Sequence, residues 1–487
     1  MKKVIIVGAG PAGLSAGYLL EKNNTDCILF ESEHQVGGIS KTIQYKGYFF
    51  DLGGHRFFTK FDEVNKLWEE ILDKDFRNTP RLSRIFYKNR FFNYPLTPVN
   101  ALFGVGIIDT FIILGSYIKS KVLPCKSEEN FEQWVSNRFG RKLYSIFFKT
   151  YTEKVWGIPC SEIGSEWAAQ RIKGLSLKTA IINAFVKPRN SNIKTLIDEF
   201  KYPVLGPGMM YNEMKNRIEA MGGRVHTDCR VTRVYHDNRS IKSVEYIDKN
   251  GIHHTGEGSD FVSSMPVTEL IKALSPSADE AVLAAASKLK YRSLITIDII
   301  VNKQNLFPDN WIYIHSPEVR LGRIQNFKNW SSRMVPDARK SSLGLEYFCN
   351  ENDEIWNMPD AELFRIAAAE IERIKICRAS DIEDFTIIRV PKAYPVYSTG
   401  YKENVDIIKS YLKGFDNLQL IGRYGLFKYN NMDHSIITGL QAAKNIIYGS
   451  CIHDTWEINT DEEYQEEKQE EADEASFARL KEGNSGI

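Results

Sequence analysis

One unit near the start of the chain constrains its fold more than any other: a strand, a glycine-rich turn and a helix in direct succession. Val4-Ile5-Ile6-Val7 is an unbroken apolar run, as expected for a parallel strand covered on both faces. It leads into Gly8-Ala9-Gly10-Pro11-Ala12-Gly13, after which residues 14–20 carry apolar side chains at helical spacing. Gly8 permits the tight turn, and Gly10 lets the backbone approach a pyrophosphate. Gly13 allows the helix to pack closely on the strand, so that its first N–H groups face the anion. A second strand, Cys27-Ile28-Leu29-Phe30, ends at Glu31, 18 residues past Gly13, where a carboxylate accepts hydrogen bonds from adenosine ribose hydroxyls. With strand, helix and acidic residue all in place, the unit reads as a dinucleotide site.

Two further glycine pairs favour FAD over a nicotinamide dinucleotide. Val36-Gly37-Gly38-Ile39-Ser40-Lys41 supplies the first, placed to meet the same diphosphate through Gly38 and Ser40. Phe49-Phe50-Asp51-Leu52-Gly53-Gly54-His55-Arg56 supplies the other, in which a glycine pair after an apolar strand lets the backbone lie against an isoalloxazine ring. A nicotinamide site has no use for either element.

At 487 residues the chain exceeds what one hydrophobic core usually supports, so two or three lobes are expected. Its 63 basic and 62 acidic residues leave a formal charge of +1, which argues against a nucleic-acid binder. Seven cysteines form no C-x-x-C pair, which points to a reducing compartment rather than a disulfide framework, and no metal site is expected. No signal peptide is expected ahead of the first strand, and a cytoplasmic location is expected. The longest apolar stretch, residues 101–118, is interrupted by Asp109 and three glycines, whereas a membrane span needs about 20 predominantly apolar residues. It reads first as a buried helix of the substrate lobe and second as a membrane-surface helix. Membrane contact is therefore allowed but not required.

The expected class is α/β: a discontinuous Rossmann-type FAD-binding domain joined to a mixed helical and β-sheet substrate domain. Residues 221–265 read as a β-meander with strands at 223–226, 229–234 and 241–246, closed by a strand at 260–266 that returns to the nucleotide lobe. Residues 418–423 form another strand stopping at glycine, with helical spacing after it over 435–447. The FAD domain is accordingly expected from 1–95, 200–265 and 415–450. Residues 96–199 form a helical substrate domain, with amphipathic stretches at 131–150 and 175–186. Residues 266–414 form a sheet-containing one, with strands at 294–301 and 343–348 and a helix at 360–374. The remainder, 451–487, is an acidic tail whose segment 461–474 carries nine acidic residues and one lysine, read as a solvated helix or disordered stretch.

Several motifs align in order, from residue 4 to about 447, with one family. The chain resembles UDP-galactopyranose mutase, particularly the larger eukaryotic-type enzymes. The resemblance rests on Gly53-Gly54-His55, Asn93-Tyr94-Pro95, Phe131-Glu132-Gln133-Trp134, Lys154-Val155-Trp156-Gly157-Ile158-Pro159, Trp311-Ile312-Tyr313, Gly422-Arg423-Tyr424-Gly425 and Asn431-Met432-Asp433-His434-Ser435. The FAD motifs alone are shared with amine oxidases, protoporphyrinogen oxidases and carotenoid desaturases. The Lys-Val-Trp-Gly-Ile-Pro and Asp-His-Ser segments discriminate.

The resemblance implies an isomerase that interconverts pyranose and furanose forms of a nucleotide-diphosphate sugar for surface polysaccharide synthesis. Reduced flavin N5 would attack the anomeric carbon and displace the diphosphate. It implies that Arg171 and Arg323 clamp the pyrophosphate with their guanidinium forks, and that His55 lies beside the flavin ring. It assigns substrate contacts to Tyr94, Trp156, Tyr313, Tyr394, Tyr429 and Asn431, and contact with NAD(P)H, the possible reductant, to Arg84. Val231, Gly422, Arg423, Asp433 and Ser435 join the FAD contacts on the same ground, and residues 202–209 correspond to a glycine-rich turn near the flavin. The chain departs from the family at Thr97, where an amide is expected at the uracil, and at Thr152, where asparagine is expected. The stretch between Tyr429 and Asp433 is two residues shorter than in the family. The nucleobase and sugar therefore stay open, as do the oligomeric state and an alternative reading: an FAD-dependent oxidoreductase of the amine oxidase, protoporphyrinogen oxidase or desaturase type acting on a small or lipid-linked substrate.

Overall fold

The computed structural model describes residues 2–94, 96, 100, 104–165, 199–237 and 239–459. Arg171, Thr97, the expected helix at 175–186 and the acidic segment 461–474 lie outside them.

The apolar run at the start forms the centre of a five-stranded parallel sheet in the order Leu418–Leu420, Asp260–Ser263, Lys3–Val7, Asp26–Phe30, Arg224–His226. Val4, Ile5 and Ile6 are fully buried because helices cover one face and a second sheet the other. All five strands come from the three separated stretches expected to build the FAD lobe. The α/β class, with a discontinuous FAD domain and a mixed helical and sheet region, is as expected.

The Pro11–Lys22 helix lies against this sheet at backbone distance. A β-carbon on Gly13 would sit 1.9 Å from the Gly8 carbonyl oxygen, so only glycine allows the approach expected at this position. On its other side the helix meets the Met432–Tyr448 helix, where a β-carbon on Gly439 would sit 2.1 Å from the Ala12 carbonyl oxygen.

The expected meander needs two corrections. Arg224–His226 does not join it but pairs in parallel with Asp26–Phe30 at the edge of the first sheet. The antiparallel meander instead runs His253–Glu257, Ile241–Ile247, Arg230–His236, with Leu274–Ser275 added at its end. A three-residue strand with one buried side chain carries too little pattern to show its partner, and His253–Glu257 lacks the apolar alternation that marks a strand.

The second lobe is built on a seven-stranded sheet in the order Ile382–Pro395, Tyr291–Val301, Ser341–Cys349, Arg323–Asn326, Trp311–Ile314, Ser83–Tyr87, Arg90–Asn93. Its last two strands come from residues that the expected 1–95 boundary assigns to the FAD lobe. Glu199–Pro203 pairs antiparallel with Phe76–Pro80. The stretch expected as one amphipathic unit at 131–150 divides into helices Phe131–Phe139 and Arg141–Tyr144, a π-helical turn Ser145–Lys149, and a helix Thr150–Trp156. Gly140, at φ +83°, makes the first break.

The apolar segment expected as a buried helix is not buried. Its helix, Ile107–Val122, covers Ile113 alone and leaves Ile107, Ile108, Phe111, Ile118 and Val122 exposed. No described helix is long and apolar enough to cross a membrane. All seven cysteines are free thiols.

The helix contact yields an expected outcome. Gly439→Val places three carbons against the Ala12 backbone, and overpacking of this kind costs about 1–3 kcal/mol or more. Thermal denaturation should show a lowered Tm together with weakened flavin retention; an unchanged Tm would contradict the packing described.

Candidate active site

The parallel strands end at one rim, where the first and last helices begin. The first helix starts at Pro11 with Gly10 as its N-cap, and neither a capping side chain nor an acidic residue occupies its first turn. Its opening N–H groups and the positive end of its dipole therefore suit an anion from outside the chain. Gly38 stands opposite: a β-carbon on Gly10 would lie 3.8 Å from the Gly38 Cα, so side chains at either place would fill the gap between them. The last helix begins beside it, and its first-turn residues Asp433 and Ser435 border the same cavity of about 550 Å³. Gly10, Pro11, Ala12, Gly38, Ser40, Gly53, Gly54, His55, Gly422, Arg423 and Asn431 all line this cavity. Gly8, Gly13, Glu31 and Val231 do not. Glu31 is buried behind the turn and accepts hydrogen bonds from the Ala9 N–H at 2.8 Å and the Glu33 N–H at 3.0 Å. Val231 packs in the core beneath the second sheet.

The Gly53-Gly54-His55 step crosses the cavity wall from the hairpin Thr42–Tyr45 and Tyr48–Asp51. Asp51, a carboxyl group inside an apolar strand, anchors it. Tyr202 and Thr42 both donate to its side chain, Thr42 at 2.7 Å, while Thr42 in turn accepts from the Gly208 N–H at 3.0 Å. This network ties the 202–208 turn to the step. Burial pushes the Asp51 carboxyl up to about 7, against the two hydrogen bonds that lower it.

Gly53, at φ +139°, turns the chain so that a β-carbon there would lie 3.5 Å from His55 Cε1 and 3.6 Å from Arg323 Nη2. The step, the imidazole and the guanidinium thus converge. His55 Nδ1 is buried and meets no hydrogen-bond partner among the described residues. Burial first, then the charges of Arg423 and Arg323, push its pKa down to about 3, so the ring is neutral near pH 7. An orphaned ring nitrogen beside a bare glycine step, and a cradle that side chains would fill, fit a flavin dinucleotide.

Opposite the step the cavity is cationic and aromatic. Arg323 donates to Glu346 in a fork, Nε to Oε1 at 2.9 Å and Nη2 to Oε2, and Gln325 Nε2 donates to the same carboxylate at 2.8 Å. Burial opposes the Arg323 charge, but the neighbouring Glu346 more than restores it and holds the group protonated. Arg423 is fixed by Asn430 and Ala393 carbonyls and lies 5.5 and 4.9 Å from the ring centres of Tyr394 and Tyr429. Tyr394 and Tyr429 stack with centroids 5.7 Å apart and line the cavity together with Tyr313.

Two expected contacts sit one layer back. Trp156 is buried against Tyr394 and Tyr429, at 6.5 and 6.0 Å, and supports those rings without bordering the cavity. Tyr94 packs on Tyr313 at 4.7 Å. Arg84 lies apart: its fork is taken by the fully buried Asp309, Nε to Oδ1 at 2.8 Å, and its guanidinium covers the Phe91 ring.

Other functional groups escaped the sequence reading. Lys154 Nζ donates to the carbonyls of Ile314, Ser316 and Leu321, closing the loop between the strands that carry Tyr313 and Arg323. Burial lowers its pKa to about 8. Arg56 lines the cavity with its guanidinium 5.3 Å from the Trp311 ring. Lys154 belongs to the Lys-Val-Trp-Gly-Ile-Pro motif, and Arg56 comes directly after His55. Glu346 and Asp51 announce themselves only as single carboxylates inside apolar strands.

Fold and cavity together define a two-lobed flavin-binding enzyme. Residues 11–447 match the flavin containing amine oxidoreductase family, and the chain belongs to it. Among solved structures it is similar to reduced UDP-galactopyranose mutase, with a TM-score of 0.81 at 21% identity over 94% of this chain and 98% of that one. It is also similar to putrescine oxidase bound to putrescine, with a TM-score of 0.60 at 15% identity over 92% and 99%. Matches to curated proteins are shorter. Coproporphyrinogen III oxidase of Staphylococcus aureus is 34% identical over 108 residues, 21% of this chain and 22% of that protein. A 4,4'-diapophytoene desaturase of Methylomonas is 33% identical over 93 residues, 18% of each. The chain thus spans about a fifth of the length of these relatives.

This geometry carries two expected outcomes. Gly10→Leu should fold but purify without the flavin absorbance band near 450 nm; a normally yellow protein would contradict the cradle. For Asp51 the folded pKa of about 7 lies above the unfolded value of 3.8, so its stabilising effect is complete below about pH 4 and drains away as pH rises to 7. In denaturant melts Asp51→Asn should gain stability relative to the parent protein across that window and run parallel above it. A constant difference from pH 4 to 8 would contradict the neutral carboxyl.

Proposed function

We propose that the protein is a flavin-dependent mutase that interconverts the pyranose and furanose forms of a nucleotide-diphosphate sugar. One observation carries the reading: the Arg323 guanidinium stands against the Gly53-Gly54-His55 step, in one cavity with Arg423 and the stacked Tyr394 and Tyr429. A polar sugar needs such rings and donors, and a departing diphosphate needs fixed cations beside the reacting carbon. The shape shared with reduced UDP-galactopyranose mutase supports it. When bound in its reduced form, a flavin supplies a nucleophilic nitrogen for the anomeric carbon. Arg323 then holds the diphosphate close, so that its return after ring change stays effectively intramolecular. Glu346 fixes the fork by two of its donors. His55, kept neutral, offers Nδ1 to the flavin without adding charge. Arg171 is the second member of the clamp in this reading, and NAD(P)H is the reductant that primes the flavin.

A second reading, an oxidoreductase on the same scaffold, draws on a specific feature. The buried Glu346 already balances the Arg323 charge, as a site for a less charged substrate would require. The family description and the curated relatives point the same way.

The two readings separate on redox balance. Dithionite-reduced protein should convert UDP-galactofuranose to the pyranose form with no net oxidised product, while the air-oxidised form stays inactive. Oxygen consumption with an amine or porphyrinogen, and no ring interconversion with any nucleotide sugar, would favour the oxidoreductase. Arg323→Lys keeps a charge near Glu346 but loses the fork. It should keep its flavin and lose about 10- to 100-fold in interconversion rate, equivalent to about 1.5–3 kcal/mol for charge-assisted hydrogen bonds. Full activity would contradict the clamp.

A further inference from the structure

The Ile107–Val122 helix is amphipathic in the reverse sense for a protein surrounded by water. Positions 107, 108, 111, 118 and 122, spaced by three, four and seven residues, share one face. Their side chains are open: Ile107 is 76% exposed, Ile108 78%, Phe111 71%, Ile118 61% and Val122 71%. The polar residues turn inward. Asp109 pairs with Lys142 Nζ at 3.0 Å, and Ser116 Oγ accepts from the Lys142 N–H at 3.0 Å. Gly140 comes so close that a β-carbon there would lie 2.8 Å from the Tyr117 nitrogen, so the helix is seated by the side that carries Asp109, Ile113, Ser116 and Tyr117. This is no loosely packed core helix; its apolar side has simply been turned away from the described residues. A contiguous apolar face of this kind marks an interaction site.

The charge around that face selects the occupant. Lys119 stands exposed at its edge. Lys121 stands exposed at its other edge, and the exposed Lys88 and Arg90 add positive charge near the helix start, on the side of Asp109, whose own charge is balanced by Lys142. Apolar side chains framed by cations match the acyl and headgroup layers of an anionic bilayer. The helix has 16 residues and so is about 24 Å long, short of the roughly 30 Å hydrocarbon core, and must lie in the plane of the surface.

We propose that the Ile107–Val122 helix is an in-plane anchor by which the protein docks onto anionic phospholipid surfaces. The proposal is independent of the reaction the cavity performs. Full-length, flavin-loaded protein is to be floated with vesicles of phosphatidylcholine alone and of phosphatidylcholine with 30% phosphatidylglycerol, at 50 and 500 mM salt. The expected result is binding to the anionic vesicles that weakens in high salt. The triple variant Ile107→Asn, Phe111→Asn and Ile118→Asn should lose at least tenfold in binding, and Lys119→Glu should lose part of it. Both should keep the parent Tm and flavin content, since the replaced groups are exposed. Absence of binding by the parent protein, or equal binding by the triple variant, overturns the proposal. So does a triple variant with a sharply lowered Tm, which would mean that the chain itself covers the face. A parent dimer that the triple variant converts to a monomer in light scattering would assign the face to self-association and overturn it equally.

Discussion

Two backbone contacts set the geometry on which the rest depends. Gly13 brings the first helix onto the carbonyl of Gly8, and Gly439 brings the last helix onto the carbonyl of Ala12. A β-carbon at either place would collide with main chain rather than with a yielding side chain. The sheet, the first helix and the last helix are therefore locked with both helix starts at one rim. Their positive ends face a single cavity, and an anionic diphosphate is the natural ligand for such a place. Everything downstream, from the flavin step to the arginines, is arranged around that pole.

The two lobes meet at the cavity through fixed charges and stacked rings. Arg323 and Arg423 are each fixed by at least two acceptors, so neither has to reorganise to face a substrate. Lys154 and Trp156, from the same short motif, act behind the cavity: one closes the loop that leads to Arg323, the other backs the two tyrosines. Asp51 does similar work on the flavin side. Its carboxyl gathers Thr42 and Tyr202 from separate elements and tethers the step to the 202–208 turn.

Legibility in the sequence tracked the range of the interaction. The nucleotide cradle is local, and its glycines, strand and helix could be read directly from residues 4–20. The strand order could not: Arg224–His226 is expected in the meander and Ser83–Tyr87 within the FAD lobe, yet pairing with distant partners decides which sheet receives them. Resemblance located Arg323, Tyr313, Tyr394 and Tyr429 at the cavity wall, because those residues point inward. It also named Arg84, whose fork belongs to Asp309, a carboxylate more than 200 residues away that no local motif ties to it. The apolar run suggested a helix near residue 107 but not which side the protein would hold, since the composition is the same whether its apolar face is covered or bare.

A structure of the reduced, flavin-loaded protein soaked with UDP tests the central claim most directly. If the cavity binds a nucleotide diphosphate for ring exchange, the diphosphate oxygens will lie about 3 Å from Arg323 nitrogens, a hydrogen-bond distance, with the terminal phosphate directed toward the Gly53-His55 step. Nucleotide bound elsewhere, or density for none while Arg323 keeps to Glu346 alone, would contradict it.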